Sequence, residues 1–169
     1  MNGADLDLRR RTYAFMVDNG RAPQAEELGT REDVVVGWRR LHDAHALVLN
    51  PATDEIRMLN PLSAVPTAYR VHAVGRWWYA NCAWDAFGIC AALHVDGLIE
   101  TSCPDCGEPL RVGVHERRPD DDGLLFHCLV PAAHWWDDRF SPDWVPHTRE
   151  QNQAILDSLG LSGSFWQLA

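Results

Sequence analysis

The sequence predicts an α+β protein in which an N-terminal, winged-helix-like helical part packs on an antiparallel-sheet core. Three observations carry this. Short amphipathic segments with capping residues fill the first 46 positions. From "ALVLN" onward, short β-rich runs alternate with turn residues. A single apolar helix, "CAWDAFGICAAL", interrupts those strands.

Each element has a local reason. "DLDLRRRTYAFMVD" (5–18) places Leu6, Leu8, Tyr13, Phe15 and Met16 at helical spacing and closes at Asn19-Gly20. In "APQAEELG", Pro23 suits a first helical turn, Glu26 and Glu27 suit its dipole, and Gly29 stops it. Thr30 and Asp33 then open a capped helix whose buried stripe is Val34, Trp38 and Leu41. "ALVLN" and "IRMLN" form a hairpin around "PATDE". Three helices and a hairpin spell a winged helix-turn-helix over residues 1–60, and "NPLSAVPTAYRV", with Pro61 and Pro66, is the expected connector to a second domain over 61–169. There "YRVHAVGRWWYA" reads as strands, "GLIETSCPDCGEPLRVGVHE" as strand, turn and strand, "RRPDDDG" as a polar turn and "LLFHCLVPA" as a strand. "HWWDDRFSPDWVP" reads as loop and "TREQNQAILDSLG" as a final helix capped by Gly160.

Composition narrows the function classes. The 169 residues are 46% hydrophobic and 23% charged, enough apolar content for one core with a small appendage. No apolar run reaches the roughly 20 residues of a membrane span, so no membrane partner is expected. "MNGADLDLRRRTYAFMVDNG" lacks an apolar segment ahead of a small-residue cleavage site, so the expected location is cytoplasmic. The net charge of −9 concentrates after residue 60, where 14 acidic residues face 7 arginines. That balance opposes a nucleic-acid partner, because phosphate binding needs a basic footprint. All 15 basic residues are arginine, which excludes lysine-based covalent chemistry. No Gly-rich phosphate loop, HExxH or GxSxG occurs.

Chemistry-bearing residues cluster instead around cysteine. In "NCAWDAFGIC", Cys82 and Asp85 stand three apart, so a helix would put them on one face. Asn81 as N-cap would leave Cys82 in the first turn, where the helix dipole favours thiolate. Asp85, among Trp84, Phe87 and Ile89, would be desolvated, raising its pKa toward one suited to proton donation. Read without chemistry, the thiol packs as a small apolar group and the carboxylate serves the helix terminus. Cys103 and Cys106 in "CPDCGEP" are half a zinc knuckle that His127 and Cys128 would have to complete; as a tight turn with reduced thiols the stretch needs no metal. Cys90 reads as core and Asp120, Asp121 and Asp122 as a solvated turn. In "HWWDD", Trp135 and Trp136 read either as pocket lining or as surface packing.

In order along the chain, "GRAPQAEELG…LHDAHALVLNPATDEIRMLNPLSAVPTAYRV", "WWYANCAWDAFGICAAL" and "SCPDCGEPL" resemble the organomercurial (alkylmercury) lyase family, from about residue 10 to 140. The resemblance implies a winged-helix-like part on an antiparallel α+β core, and protonolytic cleavage of a carbon–mercury bond. It implies Cys82 as the thiolate that attacks mercury, Asp85 as the residue that brings the proton to the leaving carbon, and Cys103 as the family's structural cysteine. The family's second catalytic cysteine follows the "HWWDD" segment; here the stretch is "RFSPDW" and the equivalent is Ser141, a poor mercury ligand. The second thiolate would then have to come from Cys128 or Cys106.

The implied partners are a small-molecule substrate, and low-molecular-weight thiols or a mercuric reductase to receive the metal. No cofactor is required beyond transient Hg(II) as product ligand. Two other readings stay open: the same fold recruited to cysteine-assisted chemistry on a small organic biosynthetic substrate, and a thiol- or metal-sensing winged-helix regulator.

Overall fold

The chain starts with a reciprocal cap. Asn2 Oδ1 accepts from the Asp5 N–H at 2.9 Å while Asp5 Oδ2 accepts from the Asn2 N–H at 3.0 Å, satisfying two donors that a helix start leaves open. Helix α1 (Gly3–Asn19) follows and ends where Gly20 takes a left-handed conformation, its N–H bonded to Met16 O. Leu8, Thr12 and Met16, four apart, form its buried face. After a 3-10 turn at Ala25–Glu27, Thr30 caps helix α2 (Arg31–Asp43), which buries the expected Val34, Trp38 and Leu41. The two helices lock through a polar pair inside apolar packing: Trp38 Nε1–H donates to Thr12 Oγ1 at 3.1 Å, and the Thr12 hydroxyl donates to Leu8 O at 2.8 Å. At the rim, Arg40 Nη2 lies 2.7 Å from the buried Asp5 carboxylate and draws its pKa below the usual value.

The computed structural model describes residues 1–103 and 106–120, together with the backbone of strands at 124–127 and 164–167. Strands β1 (Val48–Leu49), β2 (Ile56–Leu59), β3 (Leu62–Ser63), β4 (Tyr69–Ala73), β5 (Arg76–Ala80), β6 (Gly97–Ser102), β7 (Pro109–His115) and β8 (Arg118–Pro119) make one antiparallel sheet, ordered β1-β2-β3-β5-β4-β6-β7-β8. This is the expected α+β class. Two stretches read as linkers contain strand. β3, in the proline-marked connector, pairs with both β2 and β5, and Arg118–Pro119 of the polar turn pairs with β7. Two-residue strands have no alternation of their own, so only their neighbours reveal them. Strand β9 (Leu124–His127) pairs in parallel with β10 (Ser164–Gln167); the expected helix capped by Gly160 lies outside the described residues.

Helix α3 (Ala83–Leu93) joins β5 to β6 and packs on β4, β5 and β6. Its buried face is Ala83, Ala86, Ile89 and Cys90, small enough to bring the helix close to the sheet. The Ile89 side chain alone contributes about 1.5–3 kcal/mol by its burial. Two close approaches set the helix position: a Cβ on Gly97 would come within 2.6 Å of Cys90 Sγ, and one on Gly88 within 3.1 Å of Pro61 Cβ. The core runs from Trp38 and Leu41 through Leu59, Leu62 and Val71 to Ile99 and Val112. No helix among the described residues is long and apolar enough to cross a membrane.

Candidate active site

The end of β5 delivers the chain to α3 through "ANCAWD". The structure corrects the expected cap: Cys82, not Asn81, is the N-cap residue, with extended backbone (φ −152°, ψ 179°), and its carbonyl accepts from Ala86 N–H at 3.0 Å. The physical reason is that Ala80 still pairs with Tyr69 in the sheet, so the turn into the helix is completed one residue later. Asn81 uses its side chain differently, as described below.

The i, i+3 spacing does what it predicts. Cys82 Sγ donates toward Asp85 Oδ2 at 3.6 Å, within reach of a weak thiol hydrogen bond. Asp85 is 6% exposed, and Cys82 is half-buried. Asn81 Nδ2 donates to the same Asp85 oxygen at 3.0 Å. That oxygen therefore accepts from an amide and a thiol together.

The electrostatics differ from the expected preformed thiolate. Burial, followed by the Asp85 carboxylate, pushes the Cys82 thiol up to about 12; the N–H groups of Trp84 and Asp85 at the helix start pull the other way and are outweighed. At neutral pH the sulfur holds its proton and points it at a carboxylate. The sign of the pH dependence follows. Alkylation of Cys82, which needs the thiolate, is expected to rise about tenfold per unit from pH 7 to 10 with no plateau near 9. Asp85→Ala removes a charge that opposes thiolate formation, so its profile is expected to move to lower pH; peptide-resolved iodoacetamide labelling measures both.

The sequence reading did not single out Tyr69. It is buried at the start of β4, and burial first, then the charges of Cys82 and Cys103, push its phenol up to about 12. Tyr69 thus sits within electrostatic reach of both cysteines, and strand alternation was its only signal. Cys103, 8% exposed, closes the turn after β6: its N–H bonds Glu108 O and its carbonyl accepts from Gly107, both at 2.8 Å. Cys106 is exposed on that turn, so the two CxxC sulfurs occupy different environments. Among the described residues no cluster of three or more metal-ligating side chains forms. Cys128, Trp135, Trp136 and Ser141 lie outside the described residues. Trp84, 63% exposed, stands between Cys82 and Asp85 in sequence and faces away from the core.

Residues 62–141, which span β3 to β8 and contain the whole Cys82–Asp85 turn, match the alkylmercury lyase (MerB) family. Over that segment, a little less than half of the chain, the sequence resembles the alkylmercury lyase family. Among solved structures, the mercury-bound form of MerB2 has a similar fold, with a TM-score of 0.59 and 21% sequence identity over 72% of this chain and 60% of that one. The chain thus spans about three-fifths of that MerB2 structure, and at this identity the likeness concerns the fold. No curated protein matches the sequence. The family match ends at position 141, where this chain carries serine.

Proposed function

We propose that the protein cleaves carbon–mercury bonds by protonolysis, with Cys82 as the mercury-binding group and Asp85 as the proton carrier. The observation that supports this most is the single Asp85 oxygen 3.6 Å from the Cys82 sulfur. A soft sulfur suits a soft metal, and a buried carboxylate beside it can take the thiol proton and hand it on.

The substrate is an organomercurial carried on a thiolate. As Cys82 Sγ bonds to mercury, its proton passes to Asp85 Oδ2 and the incoming thiolate is displaced. Asp85 then gives that proton to the carbon bound to mercury, the carbon–mercury bond breaks, and the hydrocarbon leaves. Hg(II) stays on Cys82 until low-molecular-weight thiolates remove it. Holding the thiol neutral until substrate arrives keeps the required proton at the reaction centre. With Ser141 in place of a second family cysteine, we assign the accepting thiolate to solution rather than to that position.

The test separates binding from cleavage. Asp85→Ala is expected to keep stoichiometric phenylmercury on Cys82 while benzene release falls about 10²–10⁴-fold, the range for a lost general acid–base. Benzene release at the wild-type rate in this variant would remove Asp85 from the mechanism.

A further inference from the structure

We infer that Asn81 is a positioning residue: its side-chain amide, oriented by Asn60, holds the Asp85 carboxylate against the Cys82 sulfur. This deepens the lyase reading, and takes from it only that Cys82 and Asp85 act as a pair.

The geometry is a chain of contacts across two elements. Asn81 Nδ2 donates to Asp85 Oδ2 at 3.0 Å, and the same nitrogen lies 3.4 Å from Asn60 Oδ1. Asn60 belongs to the turn between β2 and β3, and its neighbour Pro61 packs on α3 at Gly88, where a Cβ would come within 3.1 Å of the ring. That contact ties the turn to the helix carrying Asp85. Two oxygens facing one amide group fix which end points inward: the NH₂ end satisfies both, whereas a flipped amide would set oxygen against oxygen. Asn81 Oδ1, buried, has no hydrogen-bond partner among the described residues. The amide is therefore committed as a donor.

The consequence concerns one oxygen. Asp85 Oδ2 accepts from both Asn81 and Cys82, so the amide fixes the direction of that oxygen and shares its charge. Without it, the oxygen facing sulfur loses its second donor and the direction that donor sets. Asn81 acts on the pair through its hydrogen bond to Asp85.

A double-mutant cycle tests this without depending on lyase activity. Alkylation of Cys82 by iodoacetamide at pH 8 is followed at its own peptide by mass spectrometry in wild type, Asn81→Ala, Asp85→Ala and the double variant. With Asp85 present, loss of the amide lets the carboxylate turn away from the thiol whose ionisation it opposes, and alkylation is expected to rise about fivefold. In the Asp85→Ala background the same substitution is expected to change the rate by less than about 1.5-fold. Equal changes in both backgrounds, or no change in either, overturn the inference. Asn81→Ser is carried in parallel and read the same way should the alanine variant fail to fold. Absence of hydrocarbon release from wild type would count against the lyase reading and leave this cycle intact. Where wild type does turn over, Asn81→Ala is expected to lower kcat about fivefold with KM within about twofold, because proton transfer and not binding is disturbed.

Discussion

Cys82→Ala is expected to abolish carbon–mercury cleavage, lowering turnover by more than about 10³-fold, the scale on which loss of a covalent nucleophile acts. The variant is also expected to lose the mercury that wild type retains at this peptide after a single turnover. Its fold is expected to survive. Cys82 is only half-buried, caps the helix through its backbone carbonyl, and leaves the packed face of α3 to Ala83, Ala86, Ile89 and Cys90. Hydrocarbon yield by gas chromatography, beside bound mercury by mass spectrometry, measures both. Unchanged turnover would move the chemistry to another cysteine.

The largest expected effect on stability lies elsewhere, at Trp38. Its ring is 2% exposed between α1 and α2, and its Nε1–H donates to the buried Thr12 hydroxyl. Trp38→Ala removes a large core side chain and leaves a cavity where the two helices meet, costing about 3–5 kcal/mol. Thr12 Oγ1 also loses its indole donor, though the hydroxyl keeps its own bond to Leu8 O. Urea denaturation is expected to show a midpoint shift of that energy with little change in slope. A loss below about 1 kcal/mol would mean that the helical part does not unfold together with the sheet.

These two sites show what the chain reveals in one dimension. Trp38 stood out because its neighbours Val34 and Leu41 repeat at helical spacing behind a Thr30 cap, and local periodicity survives into the structure. Cys82 and Asp85 stood out for a similar reason, since three residues along a helix is a spatial statement. The protonation of the sulfur was not legible. The helix dipole is a property of the local sequence, whereas the burial that outweighs it comes with the packing of α3 on β4, β5 and β6.

Asn60 and Asn81 mark the same boundary. They lie 21 positions apart, and the antiparallel pairing of β3 with β5, Leu62 opposite Ala80, brings one amide to the other. Tyr69 reads as an ordinary inward strand residue until the register places it opposite Ala80, two residues before Cys82. β3 was hidden because a two-residue strand flanked by prolines is recognisable only by the strands that claim it. What was legible of the candidate site was the Cys82–Asp85 pair; what was not was the set of residues packed around it.

The most direct test of the central claim is benzene release from phenylmercury by the wild-type protein in D₂O, with excess low-molecular-weight thiol to accept the metal. The account predicts many equivalents of benzene per chain, each carrying one deuterium delivered to the former carbon–mercury position, without a second cysteine at position 141. One equivalent of bound mercury per chain with no benzene released would contradict it.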